Sequence, residues 1–167
     1  MAITMPTTDP IAILLAHDKW ATQQILNSCA ALAPEQFHRR FEMGPGSLHD
    51  TTTHILGAMH SWGDLLASRE FRPRLEGTQR SVPALLSLLE EVTVDFAASA
   101  KAHPPDGLVT RVRDGKSYTF TRVGVITHVA THGMHHRAQC LNMLRQVGVS
   151  PLPQSSVLQW MLAGGAK

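Results

Sequence analysis

Histidine is the residue type best placed to do chemistry in this chain. There are ten, and four of them, His128, His132, His135 and His136, crowd into nine consecutive residues. His132 and His136 are spaced i, i+4. On a helix both imidazoles then lie on one face, one turn apart, where two side chains can hold one metal ion. With His132 at zero on a wheel of about 100° per residue, His136 falls about 40° away. Val125, Val129, Cys140, Met143 and Val147 fall between about 20° and 80°, so both histidines sit inside an apolar stripe. His128 at about −40° and His135 at about −60° lie on the polar edge, and Arg137 near 140° lies on the other. A second wheel centred on His54 places Ala58, Leu65, Trp62, Ile55 and Leu66 between about 20° and 120°. His54 therefore faces inward as well, whereas His60, at about 240°, faces out.

Three inward imidazoles from two helices make a facial ligand set. No fourth protein ligand is evident, so one or more coordination positions stay open for water or substrate, the layout of a catalytic site. Neutral imidazole suits zinc, nickel, iron or copper, and the ligand types do not choose among them. The plainer reading is that each inward histidine is a hydrogen-bonded core residue, and a His-x-x-x-His pair arises by chance in any histidine-rich helix. Against it, burying three partnerless imidazoles in one core costs several kcal/mol. The zincin pattern is absent, because Gly133 follows His132 where a Glu would be needed. Cys140 lies one turn beyond His136 and reads as a small core residue of the apolar stripe.

Helices must position these residues, and the chain is punctuated for them. Asp9 caps a first helix with Pro10 in its first position, running to about Leu32 and ended by Pro34. Leu14, Ala21, Ile25, Cys29 and Leu32 share one face. After the breaker run Met43 to Gly46, Ser47 caps a second helix, with Asp50 three residues on, that extends to about Ser68. A polar stretch, Arg69 to Arg80, leads to a third helix capped by Ser81, whose Leu85, Leu88, Leu89, Val92 and Phe96 form the cleanest amphipathic stripe. Leu108 to Phe120 alternates around Asp114 and Gly115 as a short β-hairpin. The last long helix runs from about Thr121 to a stop at Gly148. Ser156 to Ala163 has room for one further short helix. The expected fold is all-α, a four-helix bundle with a short hairpin before the last long helix, and residues 1–167 form a single domain. The long connection before the last helix also permits a crossover topology.

Composition excludes several classes. In 167 residues, Lys and Arg number 15 and Asp and Glu 13, a net charge of +2. That balance, with basic residues scattered except for Arg72, Arg74 and Arg80, argues against a nucleic-acid partner. Hydrophobic residues at 43% exclude a disordered polyelectrolyte. Two cysteines, Cys29 and Cys140, exclude a disulfide scaffold and a multi-cysteine zinc module. Met1 to Pro10 holds no Arg or Lys, and the apolar run Ile11 to Ala16 is too short for a secretory or membrane segment. The expectation is a cytoplasmic chain with reduced thiols and no membrane partner.

The run His128 to Gln139, with His132, His136, Arg137, Ala138 and Gln139 in register and Leu144, Arg145 and Gly148 behind it, resembles the signature helix of the DinB-like proteins. The opening helix, from Leu15 through His17, Asp18, Trp20 and Ala21, and the segment Ser47, His54, Ala58 and Trp62 are also similar. The resemblance implies a bundle of the DinB/YfiT-like type, often a homodimer. It implies a divalent transition metal, usually nickel or zinc, on His54, His132 and His136. It implies an enzyme of the thiol S-transferase or isomerase kind, with a low-molecular-weight thiol such as bacillithiol or mycothiol as cosubstrate and an electrophile as acceptor, serving stress or detoxification. Other members are known only as products induced by DNA damage or stress, so a non-catalytic metal-binding stress protein is an alternative, and a metal-free dimeric helical scaffold is a further one. Within that frame His17, His128, Arg137 and Gln139 are candidates for supporting the ligands or lining the pocket, Arg137 as a partner for an anionic cosubstrate. Trp20 and Trp62 are expected to pack rather than to stack on a substrate. An Asp that many members carry after the proline-rich segment is not matched, since Gln154, Ser155 and Ser156 follow Pro153.

Overall fold

Capping decides where the helices begin. In the computed structural model, which describes residues 7–165, Asp9 Oδ1 accepts the Ile11 N–H at 3.0 Å, and α1 spans Pro10–Cys29. Residues 1–6, part of the stretch read for targeting signals, lie outside the described residues. The first helix stops short of Leu32. Pro34 does not merely end it but opens a one-turn helix, α2 (Pro34–Phe37), because proline fits the first turn of a new helix. Ser47 Oγ accepts from the Asp50 N–H and starts α3 (Leu48–Leu66), and Ser81 likewise starts α4 (Val82–Lys101). Strands β1 (Leu108–Arg113) and β2 (Lys116–Thr121) pair antiparallel, Leu108 opposite Thr121 and Arg113 opposite Lys116. Asp114 and Gly115 between them have φ of 52° and 73°, the two positive angles that a tight hairpin turn of matching twist requires. Thr121 caps α5 (Arg122–Gln146), and Ser156 caps α6 (Val157–Leu162) with a reciprocal bond from Gln159.

The four long helices form the bundle. α3 packs on α4 and α5, and α1 packs on the same two. The apolar stripes read from periodicity meet in one core, in which Ile25, Leu56, Leu66, Leu85, Leu89, Phe96, Met143 and Leu144 are essentially inaccessible. Buried Arg122 sets the chain directions. Its Nη2 donates to the carbonyls of Leu66, at 2.7 Å, and Ser99, at 2.9 Å. The C-terminal ends of α3 and α4 are thus together where α5 starts, so α3 and α4 run the same way and α5 runs back against α3 and α1.

Two parallel neighbours need a connection that returns along the bundle. Residues 67–81 are that return strap, and they retrace α3 in reverse order. Arg72 bonds Asp64 near the end of α3, Glu76 bonds His54 two turns inside it, and the Arg80 N–H donates to His49 Nε2 at its start. Buried Leu75 pins the strap to the core. The hairpin packs against α3 through β1 and against α5 through β2. Strap and hairpin therefore both border the helix pair that carries the three inward histidines. His60, which the wheel turned outward, is half-buried in the cleft between that pair and the strap, because the wheel counts rotation and not what a loop later covers.

Candidate metal centre

α3 supplies His54, and α5 supplies His132 and His136. One ring nitrogen from each lies within 4.8 Å of the other two, and the ring centroids are 4.4–4.9 Å apart. The Nε2 atoms of His132 and His136 face each other at 3.1 Å. His136 is buried, and the other two are partly open.

The remaining ring nitrogens are occupied in a way that prepares the set. His136 Nδ1–H donates to Gln139 Oε1 at 2.8 Å, which leaves its Nε2 as a bare lone pair. Gln139 is held in turn, its Nε2–H donating to His135 Nε2 at 3.1 Å. His54 Nδ1–H donates to Glu76 Oε1 at 3.2 Å, which likewise frees Nε2. A carboxylate behind a ligand imidazole fixes the ring's tautomer and raises its basicity. Between His132 and His136 one proton serves two facing nitrogens, and a cation could take its place. Burial, and then the repulsion of His136, His54, His128 and His135, push His132 down to about 4. Burial also lowers His136, against the bond from Gln139. Both rings are neutral at pH 7, the state in which imidazole binds metal.

Two glycines make room for these supports. A Cβ at Gly57, one turn along α3 from His54, would come to 2.7 Å from Glu76 Oε1. One at Gly44 would collide with Gln139 Oε1, and Gly44 also has φ of 51°. The close approach of both polar groups depends on missing side chains.

The other candidates lie elsewhere. Arg137 is not available to a cosubstrate. It is buried and paired with Asp18 Oδ1 across α1 and α5, with Thr22 Oγ1 at 3.2 Å, because the wheel edge it occupies faces α1 and not solvent. His17 is buried too, but its Nε2–H donates to the Ser155 carbonyl at 2.9 Å and its ring lies near Trp20 and Trp160. It ties α1 to the C-terminal segment rather than to the three-histidine group. His128 is exposed at the group's rim, its ring 5.5 Å from that of His132 and 5.1 Å from that of Trp62. Gln139 alone of these four bonds directly to one of the three histidines. Cys140 is fully buried with its thiol pushed well up by desolvation, and burial takes the Cys29 thiol up to about 12. Neither supplies a thiolate near neutral pH.

A cleft of about 240 Å³ opens over His54 and His132, bordered by Trp62, Phe71, Glu76 and Arg111. Trp62 packs edge-on to Phe120 and also forms part of the cleft wall. Glu76, Arg111 and the two glycines escaped the sequence reading. They sit in the strap, the hairpin, mid-helix and, for Gly44, the loop ahead of α3, where no periodicity marks a residue as functional.

No helix among the described residues is long and apolar enough to cross a membrane. No curated protein matches the chain. The family comparison does: the DinB family model matches residues 5–161, from ahead of α1 to within α6, and so spans all three histidines. With four long helices and His54, His132 and His136 gathered at one point, the chain belongs to the DinB family.

Proposed function

We propose that the chain is a metal-dependent enzyme of the thiol S-transferase type. His54, His132 and His136 hold a divalent transition ion, nickel or zinc, and the cleft admits a low-molecular-weight thiol and an electrophile. The observation that carries this reading is the convergence of three imidazole nitrogens within 4.8 Å, with two of the rings already oriented by Glu76 and Gln139. A divalent ion there supplies a Lewis acid that lowers the pKa of a thiol, so that thiolate forms near neutral pH.

The chain's own groups account for the rest. Glu76 and Gln139 hold two ligand rings with their lone pairs inward, so little reorganisation opposes binding. The cleft leaves His54 and His132 accessible from one side, where a reactant can approach. Both cysteines are buried and protonated, so the sulfur nucleophile comes from the cosubstrate. In the overall reaction the thiol S–H bond breaks and an S–C bond forms to the electrophile, whose leaving group departs with the proton.

The test is metal content by mass spectrometry on untagged protein, beside the His132→Ala variant. Near-stoichiometric nickel or zinc, lost in the variant, is the expected result. Thiol-dependent turnover of a model electrophile, absent from the variant, then separates an enzyme from a metal-binding stress protein. No metal after reconstitution with either ion would overturn the proposal.

A further inference from the structure

The cleft over His54 and His132 carries positive charge that the protein does not neutralise. Three of its arginines come from two different elements: Arg72 and Arg74 from the strap, and Arg111 from β1. Arg72 is spoken for. Together with Arg69 it is locked onto Asp64 and Asp95. Arg74 and Arg111 form no ion pair among the described residues, although Arg113, next but one to Arg111, pairs with Asp114. The one other carboxylate at the cleft, Glu76, is turned to His54.

Arg111 is also held in place. Its guanidinium carbon lies 4.8 Å from the Phe71 ring centroid and 5.6 Å from that of Trp62, both cleft residues. Aromatic contact orients a guanidinium by its face and leaves the N–H edge free, the edge that matches a carboxylate. A cation so ordered, in a concave site that a second unpaired cation also lines, is prepared for an anion.

The geometry points to an anion subsite formed by Arg111 and Arg74, which selects a small carboxylate-bearing reactant and orients it with its other end toward His54 and His132. This deepens the proposed function, since it names the class of molecule that enters the same cleft, and it assigns to Arg111 and Arg74 the role that Arg137 cannot fill. The subsite itself consists only of the arginines and their aromatic backing, so it can be tested without metal.

The experiment is a titration of full-length protein with succinate, and with the uncharged succinamide, followed by NMR at the Trp62 Nε1–H and arginine Nε–H signals. It is run metal-free and after zinc loading. Saturable succinate shifts, with succinamide silent, are expected. The Arg74→Gln/Arg111→Gln variant should bind succinate about tenfold or more weaker. Arg111→Lys, which keeps the charge but loses the flat fork, should fall between. Far-UV circular dichroism verifies that each variant is folded. Equal succinate affinity in wild type and double variant, or no saturable binding in wild type, would overturn the subsite. Zinc affinity and His132→Ala report on the metal centre separately. Saturable succinate binding by a wild type that takes up no zinc would retain the subsite and reject the metal reading, and zinc uptake without saturable succinate binding would do the opposite.

Discussion

The three histidines are supported by residues that do not themselves reach the centre, and this makes the site sensitive to changes one shell out. Gly57 is the sharpest case. Alanine there would improve helix propensity by up to about 1 kcal/mol, yet its Cβ would displace the Glu76 carboxylate that orients His54. Gly57→Ala is therefore expected to keep or slightly raise the melting temperature while weakening zinc binding. Glu76→Gln removes the charge behind His54 without removing bulk and should weaken zinc about 10- to 100-fold with stability nearly unchanged, since Glu76 is exposed. Competition against a chelator of known affinity, beside thermal melts, checks both. A loss of stability without a loss of affinity in either variant would mean that Glu76 serves the strap and not the site.

Among the charged junctions between elements, two differ sharply in burial. Asp18 on α1 and Arg137 on α5 form a buried pair, so removing one partner strands the other. Arg137→Ala is expected to cost about 3–5 kcal/mol in urea denaturation, whereas Asp18→Leu with Arg137→Met should recover most of that loss. The second junction joins the end of α3, the strap and α4 through Asp64, Asp95, Arg69 and Arg72. Hydrogen bonding from Arg69 and Arg72 and their charges outweigh burial and hold the Asp95 carboxyl below its usual 3.8. In the window below about 3.8 and above its folded value, the unfolded chain therefore binds a proton that the folded chain does not. The contribution is present in full above 3.8 and fades as pH falls through the lower, folded value. Asp95→Asn should lose stability at pH 6 and show a shallower decline under acid, read from denaturation midpoints at pH 6, 4 and 3.

At the scale of the whole molecule, the proposed ion would link α3 to α5 across one face of the bundle. Binding to the native state alone raises stability by about 4 kcal/mol at a free concentration a thousand times Kd. Zinc should therefore raise the calorimetric melting temperature of wild type and leave those of His54→Ala and His132→Ala unmoved. An equal rise in all three would place the binding elsewhere. The long helices, their caps, the hairpin turn and the inward face of His54, His132 and His136 were readable from residue order, because a helix repeats every 3.6 residues and a cap or a turn is a local choice. That two of these helices, α3 and α5, bring their histidines to one point was only an expectation at that level. The fate of Arg137 was not readable, because a wheel gives its angle but not which neighbour occupies that side. Nor was the strap. Arg72, Glu76 and Arg80 have no period, and they meet Asp64, His54 and His49 only because α3 and α4 run parallel and the chain must return along α3 to join them. Local chemistry thus determined the three inward histidines and their helices from the sequence. The partners of those histidines, and the cationic wall of the cleft, were decided by the tertiary structure, since contacts between segments distant in the chain depend on which way the helices run.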